Sequence, residues 1–147
     1  MSYEKVCCTF RQAGTPPFGD RTVSRAATDY QITLNGVKVT SDNCADIFAG
    51  TENAGKASYD DATKTLTLNN LEIEKAASRN GCILNIGQDD VTLKLLGKNS
   101  FVEIAKKVNY TLNTVKTYGD LTIDGTGELY IEHGNSKRDL YGVKCYG

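Results

Sequence analysis

Residues 115–123 read Val115-Lys116-Thr117-Tyr118-Gly119-Asp120-Leu121-Thr122-Ile123, and both halves of that stretch recur elsewhere in the chain. The second half ends in an apolar-Thr-apolar triplet, which also stands at Leu66-Thr67-Leu68 and Val91-Thr92-Leu93, so that the three copies are 25 and 30 residues apart. The first half returns 28 residues later as Val143-Lys144-Cys145-Tyr146-Gly147, and in looser form upstream as Ile83-Leu84-Asn85-Ile86-Gly87. A further strand-like run follows each triplet: Leu71-Glu72-Ile73, Phe101-Val102-Glu103-Ile104 and Leu129-Tyr130-Ile131. Several short strands inside a fixed period of this size mark a solenoid, in which each repeat buries its apolar face only by stacking on the next. No segment carries apolar residues at helical spacing, and the Leu/Asn consensus of leucine-rich repeats is missing. The pattern therefore predicts an all-β chain, a short parallel β-helix of about three coils, with corners at Gly97-Lys98-Asn99 and Gly125-Thr126-Gly127.

Upstream of the repeat the chain reads as hairpins. Gln31-Ile32-Thr33-Leu34 and Val37-Lys38-Val39-Thr40 alternate around Asn35-Gly36, a pair suited to the two positive φ angles of a type I′ turn. Ser41 to Ile47 predicts a short helix capped by Ser41 or Asp42, and Gly50 to Lys56 a loop. A second hairpin joins Ala57-Ser58-Tyr59-Asp60 to Thr65-Leu66-Thr67-Leu68 through Asp61-Ala62-Thr63-Lys64. The organisation is then an irregular segment 1–29, a β-hairpin cap over 30–65 and the coils over 66–147, the cap and coils forming one structural domain. Because side chains alternate along a strand, Leu66, Val91 and Leu121 are expected as an inner ladder and Thr67, Thr92 and Thr122 as an outer one. Asn85, Thr117 and Cys145 are expected as an inner column, and Lys116, Lys144, Tyr118 and Tyr146 as outward rows.

The 147 residues carry 17 basic and 18 acidic side chains, a net charge of −1, which argues against a nucleic-acid partner whose counterions only a cationic surface displaces. No apolar run is long enough to span a bilayer. The single histidine, His133, excludes a His-rich metal site, and the spacing of Cys7, Cys8, Cys44, Cys82 and Cys145 matches no zinc pattern. No cofactor or metal is expected. The five cysteines read as reduced, mostly buried thiols, the alternative being a bridge from Cys7 or Cys8 to a distant partner.

Three stretches carry a resemblance to a known family: Gly36-Val37-Lys38-Val39-Thr40-Ser41, Ala57-Ser58-Tyr59-Asp60 with Thr65-Leu66-Thr67-Leu68-Asn69, and Tyr118-Gly119-Asp120-Leu121-Thr122-Ile123. Over roughly residues 30–147 the chain resembles bacterial proteins common in gut Firmicutes, described as carbohydrate-binding-domain-containing or uncharacterised. The resemblance implies a right-handed parallel β-helix behind a β-rich cap, and an extracellular or cell-surface location. The chain opens without a signal peptide, which keeps a cytoplasmic location as the other expectation, and it is shorter than most members.

Candidate chemistry is sparse. Asp90 and Asp120 fall at the same corner of consecutive coils, where clustered carboxylates serve β-helix lyases and glycosidases; the plainer account is Asp accepting backbone N–H bonds at a strand start. Tyr118, Tyr130, Tyr141 and Tyr146 gather in the last two coils with Lys116 and Lys144, and exposed tyrosines stack on sugar rings while lysines bond hydroxyls or carboxylates. Lys116, Tyr118, Tyr130, Lys144 and Tyr146 are therefore the candidate ligand-binding residues, against an ordinary Tyr/Lys ladder on a sheet. His133 would need Glu132 or Asp139 to orient it as a base, and a solvent-exposed turn histidine is the simpler reading. Three accounts of function follow: a non-catalytic binding or adhesion module of a bacterial surface or secreted protein, with a glycan as partner; a polysaccharide lyase or glycosidase, whose groove spans many coils, more than the three expected here; and an assembly domain. The last arises because Cys145-Tyr146-Gly147 stop where another copy would begin, so that the end is either cut or pairs with a second copy, making a homo-oligomer through the C-terminal coil, unless residues 1–29 cap it.

Overall fold

The computed structural model describes residues 25–79, 81–87, 90–104 and 107–147. Among these there is no helix, and the chain is all-β: curled, mostly parallel strands in two sheets, one of five and one of six strands, each entered through an antiparallel strand. The eleven strands are β1 (Asp29–Leu34), β2 (Val37–Thr40), β3 (Ala54–Asp60), β4 (Thr65–Ala76), β5 (Leu84–Ile86), β6 (Val91–Leu96), β7 (Lys98–Ile104), β8 (Leu112–Thr117), β9 (Leu121–Gly125), β10 (Glu128–Glu132) and β11 (Leu140–Cys145).

The hairpins form as their turn residues dictate. Asn35 and Gly36 take φ of 49° and 79°, and β1 pairs antiparallel with β2. At the second turn Asp60 accepts from the Ala62 N–H at 3.0 Å and from the Thr63 hydroxyl at 3.1 Å, and Lys64 takes a positive φ. β1 then lies antiparallel on β5, and β3 antiparallel on β4. β3 starts at Ala54, inside the stretch expected to be loop. Residues 41–47 are successive turns rather than the expected helix. The Asn43 side chain is the reason: its Oδ1 accepts from the Thr40 N–H at 2.8 Å and its Nδ2 donates to the Lys38 carbonyl at 2.9 Å, so it ties the segment back to β2 in place of a helical ladder.

The remaining strands lie in three parallel stacks. The first half of β4 pairs with β6 and β6 with β9; the second half of β4 pairs with β7 and β7 with β10; β5 pairs with β8 and β8 with β11. β4 serves two stacks because Asn70, at φ 49°, bends it in the middle. Alternate residues point inward, and Leu66, Leu68, Leu71, Ile73, Leu84, Ile86, Leu93 and Phe101 are buried in one core. The expected corners are present. Gly125, at φ 106°, would drive a Cβ into the Leu95 carbonyl, so only glycine fits there.

The register differs from the expected one in two places. Leu66 stands beside Leu93, not Val91, while Val91 stands beside Leu121. The slip is two residues, so every side chain keeps its face, but the outer threonine row becomes Thr65, Thr92 and Thr122. In the third stack Leu84 stands beside Val115, a slip of one residue that changes the face. Asn85 therefore joins the outward row with Lys116 and Lys144, and the buried column holds Ile86 and Thr117, with Cys145 in register beside Thr117 but exposed. The core decides this: Leu84 and Ile86 are 0 % and 1 % exposed, and the expected alignment would have turned both outward.

The thiol expectation fails at Cys44, which is disulfide-bonded. Cys82 and Cys145 are free, half-buried and exposed respectively, and Cys7 and Cys8, like most of the segment 1–29, lie outside the described residues.

Asn99 holds a corner across three passes of the chain. It is 2 % exposed; its Oδ1 accepts from the Leu71 N–H at 2.9 Å and its Nδ2 donates to the Leu96 and Glu128 carbonyls at 3.2 Å each. Replacing it with alanine strands buried backbone groups. Asn99→Ala is expected to cost about 2–3 kcal/mol, read as a lower urea midpoint at unchanged slope.

Candidate functional site

The strands β8 and β11 run parallel in register, Lys116 beside Lys144 and Thr117 beside Cys145, which sets Tyr118 next to Tyr146 just past the strand ends. The two tyrosine rings stack with centroids 5.2 Å apart and planes 18° from parallel. The Lys116 ammonium lies over the Tyr118 ring at 4.7 Å and the Tyr146 ring at 5.4 Å. The Lys144 ammonium lies over Tyr141 at 4.4 Å and Tyr146 at 5.1 Å. Hydrogen bonding with Tyr118 pushes Lys116 above the ordinary lysine range, so it is an ammonium at neutral pH. Among the described residues no carboxylate pairs with either lysine. Tyr118 and Tyr146 are each about half exposed.

A groove of about 380 Å³ opens beside this face, bounded by Lys116 and Tyr146 on one side and by Arg79, Gly81, Cys82, Tyr110, Thr111 and Asn113 on the others. Burial pushes the Cys82 thiol up, with Lys116 and Lys75 pulling the other way, so the thiol stays protonated at neutral pH. Asn113 Oδ1 is buried and has no hydrogen-bond partner. Asn113 and Lys116 both reach the groove although an odd number of residues apart. The alternation breaks between them, where Thr114 and Val115 are both fully buried.

Of the five candidate ligand-binding residues, the fold brings together Lys116, Tyr118, Lys144 and Tyr146. Tyr130 stands apart on β10 in the other sheet, 59 % exposed, its hydroxyl donating to Glu132 Oε2 at 3.1 Å. Asp90 and Asp120 do meet: Asp90 Oδ1 accepts from the Asp120 N–H at 2.9 Å, the backbone role of a strand-start aspartate. Among the described residues no group of three metal-ligating side chains gathers. Arg79, Tyr110 and Asn113 were not singled out by the sequence, because only the stacking of β5, β8 and the segments before them brings them to one groove.

His133 is not the exposed turn residue expected. It is half-buried, and its Nδ1 sits 3.0 Å from the Thr114 hydroxyl, with neither Glu132 nor Asp139 bonded to it. Burial lowers its pKa below 6.5. On falling pH the unfolded chain takes up the proton first, so stability present above about pH 6.5 is lost as pH falls through the folded-state value. An NMR titration of the single imidazole is expected to give a midpoint below 6.5 in the folded protein, rising to the ordinary value in urea.

Comparison with known proteins finds no matching family model, no similar curated protein and no similar solved structure. No helix among the described residues is long and apolar enough to cross a membrane.

Proposed function

We propose that this chain is a non-catalytic glycan-binding module of an exported bacterial protein, built as a short right-handed parallel β-helix of about three coils behind a hairpin cap. Three parallel stacks, each repeated in successive passes of the chain, support the architecture. The disulfide at Cys44 supports an oxidising compartment. The observation that carries the binding reading is the Tyr118–Tyr146 stack with two ammonium groups over its rings, half exposed just past the ends of β8 and β11. Aromatic faces take the C–H side of a sugar ring and the ammoniums bond its oxygens. The backbone bond of Asp90 favours a structural role for the acidic corner over acid–base chemistry. On a glycan array followed by calorimetry, the protein is expected to bind a defined subset of glycans. Tyr118→Ala and Tyr146→Ala are each expected to weaken that binding about tenfold, some 1.4 kcal/mol. No binding across the array, or binding indifferent to both substitutions, overturns the reading.

A second reading, self-association through β9–β11, has its own support in Ile123, Leu140 and Val143, which are 53 %, 44 % and 39 % exposed on that side. Sedimentation velocity over a rising concentration series is expected to show a dimer under this reading, and a monomer throughout discards it.

A further inference from the structure

We infer that the groove between Arg79 and the Lys116–Tyr146 edge takes an anionic sugar unit, a carboxylate-bearing residue of the uronic-acid class. The inference rests on the glycan-binding reading and names the class of sugar. Three independent features meet in this space. The first is charge: Arg79 and Lys116 line the groove, Lys144 flanks it across the Tyr146 ring, and among the described residues no carboxylate pairs with any of the three. Such cations attract and orient a carboxylate, the guanidinium in a two-point geometry. Glu103, whose charge is felt by Cys82 in the groove wall, is 4 % exposed, stands beside Lys75 and does not line the groove.

The second feature is an unmet acceptor. Asn113 lines the same space, and its Oδ1 is buried in the wall without a partner. A buried acceptor left unsatisfied costs free energy, and a turn of the amide that brings this oxygen to the groove lets a sugar hydroxyl donate to it and removes that cost. The third is the platform: Tyr146 borders the groove and is stacked on Tyr118, so a ring entering the groove meets a preformed aromatic wall. A volume of about 380 Å³ is at the small end for ligand sites, the scale of one or two sugar units rather than a long chain. A neutral sugar uses the platform and the acceptor and leaves the cations unanswered, whereas a uronate uses all three.

The test is calorimetry with the whole chain against acidic oligosaccharides (oligogalacturonate, alginate and hyaluronan fragments) and against the methyl ester of each. The expected result is at least tenfold tighter binding of one acid than of its ester, with the gap narrowing as salt rises. Arg79→Met and Lys116→Met should each reduce the acid-to-ester ratio to threefold or less, while Lys94→Met, exposed on the other sheet, leaves it unchanged. Alkylation of Cys82, followed by peptide mapping, should slow in the presence of the bound acid, which places the ligand in the groove. Equal affinity for acid and ester, a preference that survives both substitutions, or unprotected Cys82 overturns this inference and leaves the glycan-binding reading standing. If neither acids nor esters bind, and the glycan array is also silent, both fall.

Discussion

One side chain, that of Asn99, joins the strand before it, its own corner and the strand after it through three hydrogen bonds. A chain that passes repeatedly round the same curl must turn at the same place each time, or its alternating strands lose register and expose their apolar sides. The corner between the first and second stacks is where that requirement is sharpest, because the backbone groups there leave the strand ladders and sit away from water. Asn99 answers them from inside. Its neighbours do the related work outside: Asn70 Oδ1 accepts from the Lys98 N–H at 3.1 Å, and Gly127 donates to the Leu95 carbonyl at 2.9 Å. The inward rows of leucine and isoleucine on β4, β6 and β7 lie on either side of this corner.

Register is also what makes the candidate site. Tyr118 and Tyr146 come from positions 28 residues apart, and nothing local holds them together. They stack because β8 and β11 run parallel without offset at Thr117 and Cys145. The groove beside them depends on a second detail, the break in alternation at Thr114 and Val115. That break lets Thr114 meet His133 on the buried side while Asn113 turns toward the groove with Lys116. The half-buried histidine and the unpartnered amide are thus two consequences of one irregularity in β8.

Much of the architecture was legible because the repeat is written in residue types that admit few structures. Asn35-Gly36 between alternating runs specified its hairpin, and glycine at 125 specified a corner. What alternation alone does not specify is how far one pass slides along the next. The triplets at 66 and 91 share one apolar-Thr-apolar pattern, yet Leu66 sits beside Leu93; Leu66, Leu68, Val91, Leu93 and Leu95 are all buried, so alternation is satisfied by either pairing and does not choose between them. At Ile83 the ambiguity was worse: Ile83, Leu84 and Ile86 are all apolar, and only the burial of Leu84 and Ile86 together chooses the face. Asn43 misled in the opposite sense, since Ser and Asp before an apolar run signal a helix start, and the competing bonds of Asn43 to β2 became visible only in three dimensions. Asn113 carried no signal, because it falls off the alternating phase that marks the other outward residues.

The lysines set a limit on a purely structural account of the ladder. Lys116 and Lys144 are cross-strand neighbours, and like charges side by side on a sheet destabilise it. The tyrosine rings beneath them return part of that cost through cation–π attraction, a modest gain at exposed positions. A ladder shaped by stability alone would set a carboxylate against one of the ammoniums, as Lys98 and Glu128 are set on β7 and β10, 3.8 Å apart. No such acid is placed beside Lys116 or Lys144 among the described residues, and the aromatic rings that offset their repulsion remain half open to solvent. An unpaired double charge on an exposed aromatic platform is a poor arrangement for a free surface. The anion proposed for the groove would offset that repulsion by its attraction to both ammoniums.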